Sequence, residues 1–383
     1  MSTYRYAEPT RSEFALPQDP APKKSKSLYF PTLDGLRFFA FALVLLNHLP
    51  APKNFFLETL IHDGWVGVPI FLTLSAYLLT AILAAEYQQE GRISVSRFYI
   101  RRSLRIWPLY YAYVVGIGLF VWPSRPADYW VRLVALLTFT DNIVTGLLRS
   151  FNTIAGHLWT VALEEQFYLL LPLLLRSWLA NREKARRNII LVWVTFVVAR
   201  MLAVALHAPH PMIWTSPFSA DAILIGILLA LSPPIGLTGR RRLALMGVAL
   251  LGLASPALMP SITIVGYHQV ILFTAVALGS GALCLCALHE PWLAWLSIKP
   301  LRYLGKISYG LYVFHDIGIQ LAKSIVTWLV SHHVSVVSSS QWIAISTSAF
   351  VITLALAAAS YRFLESPFLR LKRRFETVRT RPV

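Results

Sequence analysis

The stretch TLDGLRFFAFALVLLNHLP, from Thr32 to Pro50, is apolar enough for a bilayer interior, yet it contains Arg37 and His48. Eleven residues advance an α-helix by about 1100°, roughly 20° past three full turns, so both side chains lie on one face. They are roughly 16 Å apart along the axis, about half the hydrocarbon thickness. An intramembrane charge costs about 2.5–3.5 kcal/mol, which favours a functional role. Snorkelling of Arg37 and an interfacial position for His48 remain the structural alternative.

The composition of the 383-residue chain is typical of a polytopic membrane protein. Hydrophobic residues make up 56% of the chain, charged residues only 14%, and the mean hydropathy is +0.58. Backbone amides must be paired inside lipid, so we predict an all-α transmembrane bundle of about ten membrane-spanning helices. The predicted spans are approximately 36–49, 64–84, 106–122, 158–175, 189–206, 218–235, 243–257, 265–288, 308–330 and 341–360.

The net charge of +17 follows the predicted topology and does not indicate a nucleic-acid partner. With the N-terminus inside, the predicted cytoplasmic segments contain about 28 of the 35 Lys and Arg residues, and both termini are cytoplasmic. Residues 130–150 are also apolar, but a full crossing there would move the basic run RSWLANREKARR outside. We therefore expect a re-entrant segment, or one near the external surface.

Three regions are predicted along the chain. Residues 1–30 are polar and proline-rich and form a disordered cytoplasmic lead-in, residues 31–368 form the transmembrane domain, and residues 369–383 form a basic cytoplasmic tail at an anionic leaflet. Cys284 and Cys286 are two apart on one predicted helix and cannot form a disulfide with each other. No metal-ligand spacing occurs in the sequence, so we expect no metal site.

Five further segments extend the pattern that begins with LDGLR and the ten residues between Arg37 and His48. They are GVPIFLTLSAY (67–77), RRSLRIWPLYY (101–111), HLWTVALEEQFYLLLPLLL (157–175), GKISYGLYVFH (305–315) and YRFLESPF (361–368). This ordered set, covering about 34–368, resembles the acyltransferase-3 family of integral membrane acyltransferases. The sequence departs from the usual family pattern by having Leu for Phe, Ala for Gly, Thr for Ser and Val for Leu, at Leu72, Ala76, Thr160 and Val161. We expect these differences to alter the shape of the pocket.

The resemblance implies transfer of an acyl group, commonly acetyl from acetyl-CoA, to a hydroxyl. His48 is the candidate general base, because histidine alone has an unperturbed pKa near neutrality, or it carries the acyl group covalently. Glu164 is expected at a depth similar to that of His48, where it would orient the imidazole or hold the acceptor. The alternative for Glu164 is helix capping. Arg37 is expected within the cavity where coenzyme A docks, as a catalytic or cofactor-binding residue.

Arg102 and Arg105 are candidates for binding coenzyme A. They lie three apart on one helix face, and the planar guanidinium suits the pyrophosphate and 3′-phosphate of this donor. Basic residues at cytoplasmic helix ends are also common for topological reasons alone. Further candidates for substrate binding or for shaping the pocket are Ser75, Trp159, Gln166, Tyr168 and His315.

We therefore expect a membrane O-acyltransferase in a bacterial cytoplasmic (inner) membrane. It would move an acyl group from acyl-CoA to a hydroxyl of an envelope or secreted glycan such as O-antigen, exopolysaccharide or a Nod factor. A macrolide or other small secondary metabolite is an alternative acceptor. A transporter is an alternative class, although the sequence contains no inverted-repeat pattern. A purely structural membrane protein would leave the series of motifs unexplained.

Overall fold

The computed structural model describes residues 28–50, 55–124, 126–148, 155–233, 238–331, 338–378 and 380. Within them lie sixteen α-helices and no β-strand, which confirms the predicted all-α class. The first eight helices are α1 (Pro31–His48), α2 (Phe55–His62), α3 (Gly67–Glu90), α4 (Val95–Val121), α5 (Tyr129–Leu137), α6 (Asp141–Leu147), α7 (Trp159–Trp178) and α8 (Arg182–Ala205). The others are α9 (His210–Thr215), α10 (Asp221–Leu231), α11 (Gly239–Ala254), α12 (Tyr267–His289), α13 (Lys299–Lys306), α14 (Ser308–Ser331), α15 (Ser338–Ser360) and α16 (Ser366–Lys372). Most of the predicted lead-in, residues 1–27, lies outside the described residues.

Seven helical segments of the described chain are long and apolar enough to cross a membrane. They contain α3, α4, α7, α8, α11, α12 and α15. Large apolar side chains such as Leu119, Phe120 and Leu169 are exposed on their outer faces, as expected for helices surrounded by lipid. The chain is therefore a multi-pass helical membrane protein. Three of the ten predicted spans are not among these seven. The helices α1 and α14 carry more polar residues, and α10 has only 11 residues.

The helix α10 is shorter than its predicted span of 218–235. Its 11 residues extend about 16 Å, roughly half the thickness of the hydrocarbon core. The helix begins at Asp221, whose carboxylate pairs with Arg200 of α8 (Nη1–Oδ2 2.6 Å) and accepts a hydrogen bond from Trp193 (2.5 Å). It ends just before Ser232 and Pro233, and proline disfavours helical backbone at the preceding residue. Hydropathy alone does not indicate where α10 begins or where it ends.

The apolar stretch predicted at 130–150 is described up to Leu148, and this part does not form one crossing helix. The structure has two short helices here, α5 with nine residues and α6 with seven, separated by a turn at Thr138–Thr140. At about 1.5 Å per residue, neither helix is long enough to cross a bilayer.

The helix α1 packs against α3, α13 and α14 and is fixed by two close backbone contacts. A Cβ atom on Gly67 of α3 would overlap the carbonyl oxygen of Ala40, and one on Gly305 of α13 would overlap that of Asp34. Small residues at such positions allow helix backbones to touch inside a membrane. Because α1 is held by backbone contacts on two sides, the side chains that it presents to its neighbours are held in place as well.

Candidate active site

Two adjoining cavities lie beside α1. The first, here called the arginine cavity, is lined by Arg37, Arg102 and Arg105 among others. The second, here called the histidine cavity, is lined by His48 and His157 among others. Val68, Thr160 and Tyr312 line both cavities and form the wall between them. The single helix α1 therefore presents Arg37 to one cavity and His48 to the other.

The arginine cavity gathers cationic side chains from α1 and α4. Among the described residues, no carboxylate forms an ion pair with Arg37, Arg102 or Arg105. Arg101 differs, because it pairs with Glu86 (Nη2–Oε1 2.6 Å) and is almost completely buried. Three guanidinium groups without an ion-paired carboxylate around one cavity have the chemistry to bind a ligand with several negative charges.

A second group of polar side chains faces these arginines across the cavity. Glu164 of α7 lies beside Ser75 and Tyr168 and within electrostatic range of Arg37. The guanidinium of Arg102 lies over the Tyr168 ring, 5.8 Å from its centroid. Glu164 therefore brings a carboxyl group to the cavity, close to Arg37 but without an ion pair to any of the cavity's arginines.

The histidine cavity contains His48 at its exposed edge, and its Nδ1 lies 2.9 Å from the carbonyl oxygen of Val44. A carbonyl oxygen only accepts, so Nδ1 carries the proton in the neutral imidazole and Nε2 retains its lone pair. Nε2 of His48 thus has the lone pair that a base or a nucleophile needs.

Two more histidines continue from it in a row: His315 packs edge-to-face against His48, and His157 packs edge-to-face against His315. The His315 ring is 4.7 Å from that of His48 and 4.7 Å from that of His157. Nδ1 of His315 lies 2.5 Å from Tyr312 O, and Nε2 of His157 lies 3.1 Å from Val313 O. Backbone carbonyls therefore hold one ring N–H of each of the three imidazoles in the cluster.

The wall between the cavities is fixed by hydroxyl groups. Tyr312 donates to His157 O at 2.6 Å, and its hydroxyl lies 2.6 Å from that of Thr160. This hydrogen-bonded pair joins α14 to the start of α7. A group passing from one cavity to the other must pass Thr160, Tyr312 and Val68.

The order and geometry of these elements agree with a comparison against known families. A family model described as an acyltransferase domain matches residues 30–362. The chain belongs to the acyltransferase-3 family. This match covers the whole histidine cavity and all of the arginine cavity except Leu28, Tyr29 and the lining residues beyond 362, and it identifies this part of the chain as an acyltransferase domain.

Curated relatives of this acyltransferase are O-acetyltransferases. It is 27% identical over 362 residues to the O-acetyltransferase OatA of Staphylococcus aureus (strain NCTC 8325 / PS 47), covering 88% of this chain and 57% of the relative. It is 27% identical over 370 residues to the peptidoglycan O-acetyltransferase OatA of Listeria monocytogenes serovar 1/2a, covering 88% of this chain and 56% of the relative. The chain thus spans a little over half the length of these relatives. No solved structure matches the acyltransferase.

Most of the candidate residues named from the sequence line one of the cavities. Ser75, Tyr168 and Glu164 line the arginine cavity, and Trp159 lines the histidine cavity. His315 is fully buried behind His48.

The positions of Glu164 and Gln166 differ from those expected. Glu164 faces the arginine cavity, not His48, because it lies a full helix turn beyond Thr160 in the wall. Gln166 lines neither cavity; its amide donates to Phe139 O at 2.9 Å and to Asn142 Oδ1 at 2.8 Å. It connects α7 to the turn between α5 and α6.

Several residues of the acyltransferase site were not singled out from the sequence. Three of them line the histidine cavity: His157 and Tyr312 belong to quoted family-like segments, and Asp316 directly follows one. Their place in or next to these segments was a usable signal. Lys306 and Lys372 also line the arginine cavity, but in sequence they are indistinguishable from the basic residues that set topology. In the described part of the chain, no group of three or more His, Cys, Asp or Glu residues has the arrangement of a metal site.

Proposed function

We propose that this acyltransferase moves an acetyl group from acetyl-CoA to a hydroxyl of an envelope glycan, with His48 as base or acyl carrier. The observation that carries the proposal is the pairing of two adjoining cavities. One presents Arg37, Arg102 and Arg105 without carboxylate partners, and the other presents an imidazole lone pair. The name of the Listeria relative favours peptidoglycan as the glycan.

The arginine cavity would bind the donor. Coenzyme A has a pyrophosphate and a 3′-phosphate, and guanidinium groups bind such oxygens through paired hydrogen bonds. We assign this cavity to the cytoplasmic side of a bacterial cytoplasmic membrane, where the donor is made, with both termini on that side. The excess of basic residues in the predicted cytoplasmic segments supports this orientation.

The thioester would then reach the histidine cavity. Arg37 and His48 are roughly 16 Å apart along α1, a distance the extended pantetheine arm of the donor is long enough to bridge. It passes the wall formed by Val68, Thr160 and Tyr312. Extending the donor through the protein brings the acetyl group to the outer cavity while the nucleotide stays at the inner one.

Two chemical routes use the same nitrogen of His48. In direct transfer, Nε2 takes the proton of the acceptor hydroxyl, whose oxygen attacks the thioester carbon, and the proton then passes to the departing thiolate. In the covalent route, Nε2 itself attacks the thioester carbon and the C–S bond breaks, giving an acetyl-imidazolium and the coenzyme A thiolate. The acceptor oxygen then attacks the acetyl carbon, the C–N bond to Nε2 breaks, and the hydroxyl proton passes to the thiolate. Both routes yield an O-acetyl ester and free coenzyme A, and both need the Nδ1-protonated form of His48.

The test separates donor and acceptor by a membrane. The protein is reconstituted into vesicles of known orientation, radiolabelled acetyl-CoA is supplied on one side only, and peptidoglycan fragments on the other. We expect acetyl ester on the fragments only when donor faces the arginine cavity and acceptor faces the histidine cavity. Transfer that occurs only when both are on the same side would refute the trans-membrane arrangement, and no transfer in either orientation would refute the donor or the acceptor.

A further inference from the structure

The segment that follows α15 is a folded part of the molecule and not a free tail. A π-helical turn at Tyr361–Glu365 leads into α16, and the chain then continues past Phe375 with Leu369 and Val378 buried. Two arginines of α4 hold it in place. Arg97 donates to Thr377 Oγ1 at 3.0 Å and Arg101 donates to the Phe375 carbonyl at 2.9 Å. Almost all of this segment, from residue 363 onward, lies beyond the end of the family match.

The inner face of this segment completes the arginine cavity. Lys372 and Glu376 both line it and form an ion pair, with Nζ and Oε1 2.9 Å apart and each side chain only 12% exposed. Lys372 lies within electrostatic range of Arg102 and Arg105. The segment thus adds a further cation to the cavity that holds the three arginines, together with its own carboxylate.

The geometry of Glu376 suits exchange. Its Oε1 accepts from Lys372 and also from the Thr380 hydroxyl at 3.0 Å, so it has a second partner if Lys372 turns away. Carboxylate and phosphate oxygens are interchangeable partners for an ammonium group, and phosphate carries more charge. Without a ligand, the pair also lowers the repulsion among Lys372, Arg102 and Arg105.

We propose that Lys372 is a contact for a phosphate of the donor, and that Glu376 occupies this ammonium group until the phosphate displaces it. The inference rests on the proposed use of acyl-CoA by the arginine cavity. Under this proposal, residues 366–378 form one wall of the donor site, and the Glu376 carboxylate competes with the donor phosphate for Lys372. Removing the competitor should strengthen binding, whereas removing the cation should weaken it.

The experiment measures equilibrium binding of coenzyme A to the purified full chain in detergent by titration calorimetry. Loss of one charged contact predicts about tenfold weaker binding for Lys372→Gln. Glu376→Gln should bind about three- to tenfold more tightly, a gain that misfolding does not produce. The matched control is Arg374→Gln, an exposed cation of the same segment that does not line the cavity, with an expected change under about twofold. Lys372→Arg should restore most of the affinity.

A second titration with 3′-dephospho-coenzyme A identifies the phosphate. If Lys372 contacts the 3′-phosphate, the difference between wild type and Lys372→Gln disappears with this analogue; if it contacts the pyrophosphate, the difference persists. Both results support the inference. A Lys372→Gln variant that binds coenzyme A like the wild type, and instead loses binding of phosphatidylglycerol, would overturn it in favour of a lipid headgroup.

The outcomes also separate this inference from the proposed function. If Arg102→Gln weakens coenzyme A binding and Lys372→Gln does not, the donor assignment stands and the role of Lys372 is overturned. If Glu376→Gln weakens binding as strongly as Lys372→Gln, the ion pair is structural and the exchange is overturned. If the wild type does not bind coenzyme A at all, the proposed donor fails and the inference fails with it.

Discussion

Replacing His48 by Asn separates the chemical role of this side chain from its structural one. In the structure, Nδ1 of His48 donates to the Val44 carbonyl at 2.9 Å, and the ring edge with Nε2 is left for chemistry. An asparagine amide nitrogen lies near the position of Nδ1 and can make the same hydrogen bond. It has no nitrogen lone pair able to act as a base or as an acyl carrier.

The expected effects on rate and on stability differ widely. A positioned general base contributes about 10²- to 10⁴-fold to a rate, which corresponds to about 2.7–5.4 kcal/mol of activation free energy. The free energy of unfolding should change by less than about 1 kcal/mol, because His48 is exposed and its one neutral hydrogen bond is kept. Binding of the donor phosphates should not change, because they would occupy the other cavity.

The assay follows acetyl transfer in vesicles at saturating acetyl-CoA, and it is combined with the KM for acetyl-CoA and with thermal unfolding in detergent. We expect kcat to fall at least about a hundredfold while KM and the unfolding temperature stay unchanged. His207→Asn is the matched control, since His207 is exposed, lines neither cavity and has a positive φ of 56° that asparagine tolerates. A His48→Asn variant that retains a wild-type kcat would refute both routes. Parallel loss of donor binding would mean that His48 supports the fold of the cavities.

Three further substitutions test other parts of the structure. Asp221→Asn leaves the buried Arg200 cation without its counter-ion and should reduce the free energy of unfolding by about 3–5 kcal/mol; adding Arg200→Met should recover much of this loss in thermal unfolding experiments. Gly305→Ala should strongly lower the unfolding temperature because its Cβ would overlap a backbone carbonyl of α1, whereas Gly116→Ala, which has open space around it, should be neutral or slightly stabilising. Gln166→Leu should lower stability by about 1–3 kcal/mol without altering KM for either substrate; a specific rise in KM for the acceptor would instead favour the substrate-binding role suggested by the sequence.

Features that depend on local chain geometry could be predicted from the sequence. The helical periodicity places Arg37 and His48 on one face of α1, and in the structure they line adjoining cavities. The apolar runs also predicted helices at all ten positions, because lipid leaves the backbone few alternatives. The shortened α10 is the exception, since its start is set by an ion pair between Asp221 and Arg200 on another helix.

Features that depend on contacts between distant segments could not be predicted in this way. The start of an apolar run predicts Glu164 at the depth of His48. In the structure, the position of α7 relative to the wall between the cavities puts Glu164 in the arginine cavity instead. Gln166 was grouped with the site because of its neighbours in the motif, yet its partner Asn142 is 24 residues away in the chain. Lys372 was assigned to the membrane surface by its basic neighbours, and only the packing of α16 against α4 brings it to the cavity.

The ion pairs of the structure separate the arginines that are permanently neutralised from those that the proposed function assigns to the donor. Each cation removed from water costs several kcal/mol unless it gains a partner. The structure gives Arg101 a permanent partner in Glu86, and this pair anchors the C-terminal segment. Arg37, Arg102 and Arg105 have no ion-paired carboxylate among the described residues, so in the proposed function the donor phosphates would relieve their mutual repulsion. Because a ligand that binds only the folded state stabilises it, occupation of this cavity and stability of the surrounding helices are linked.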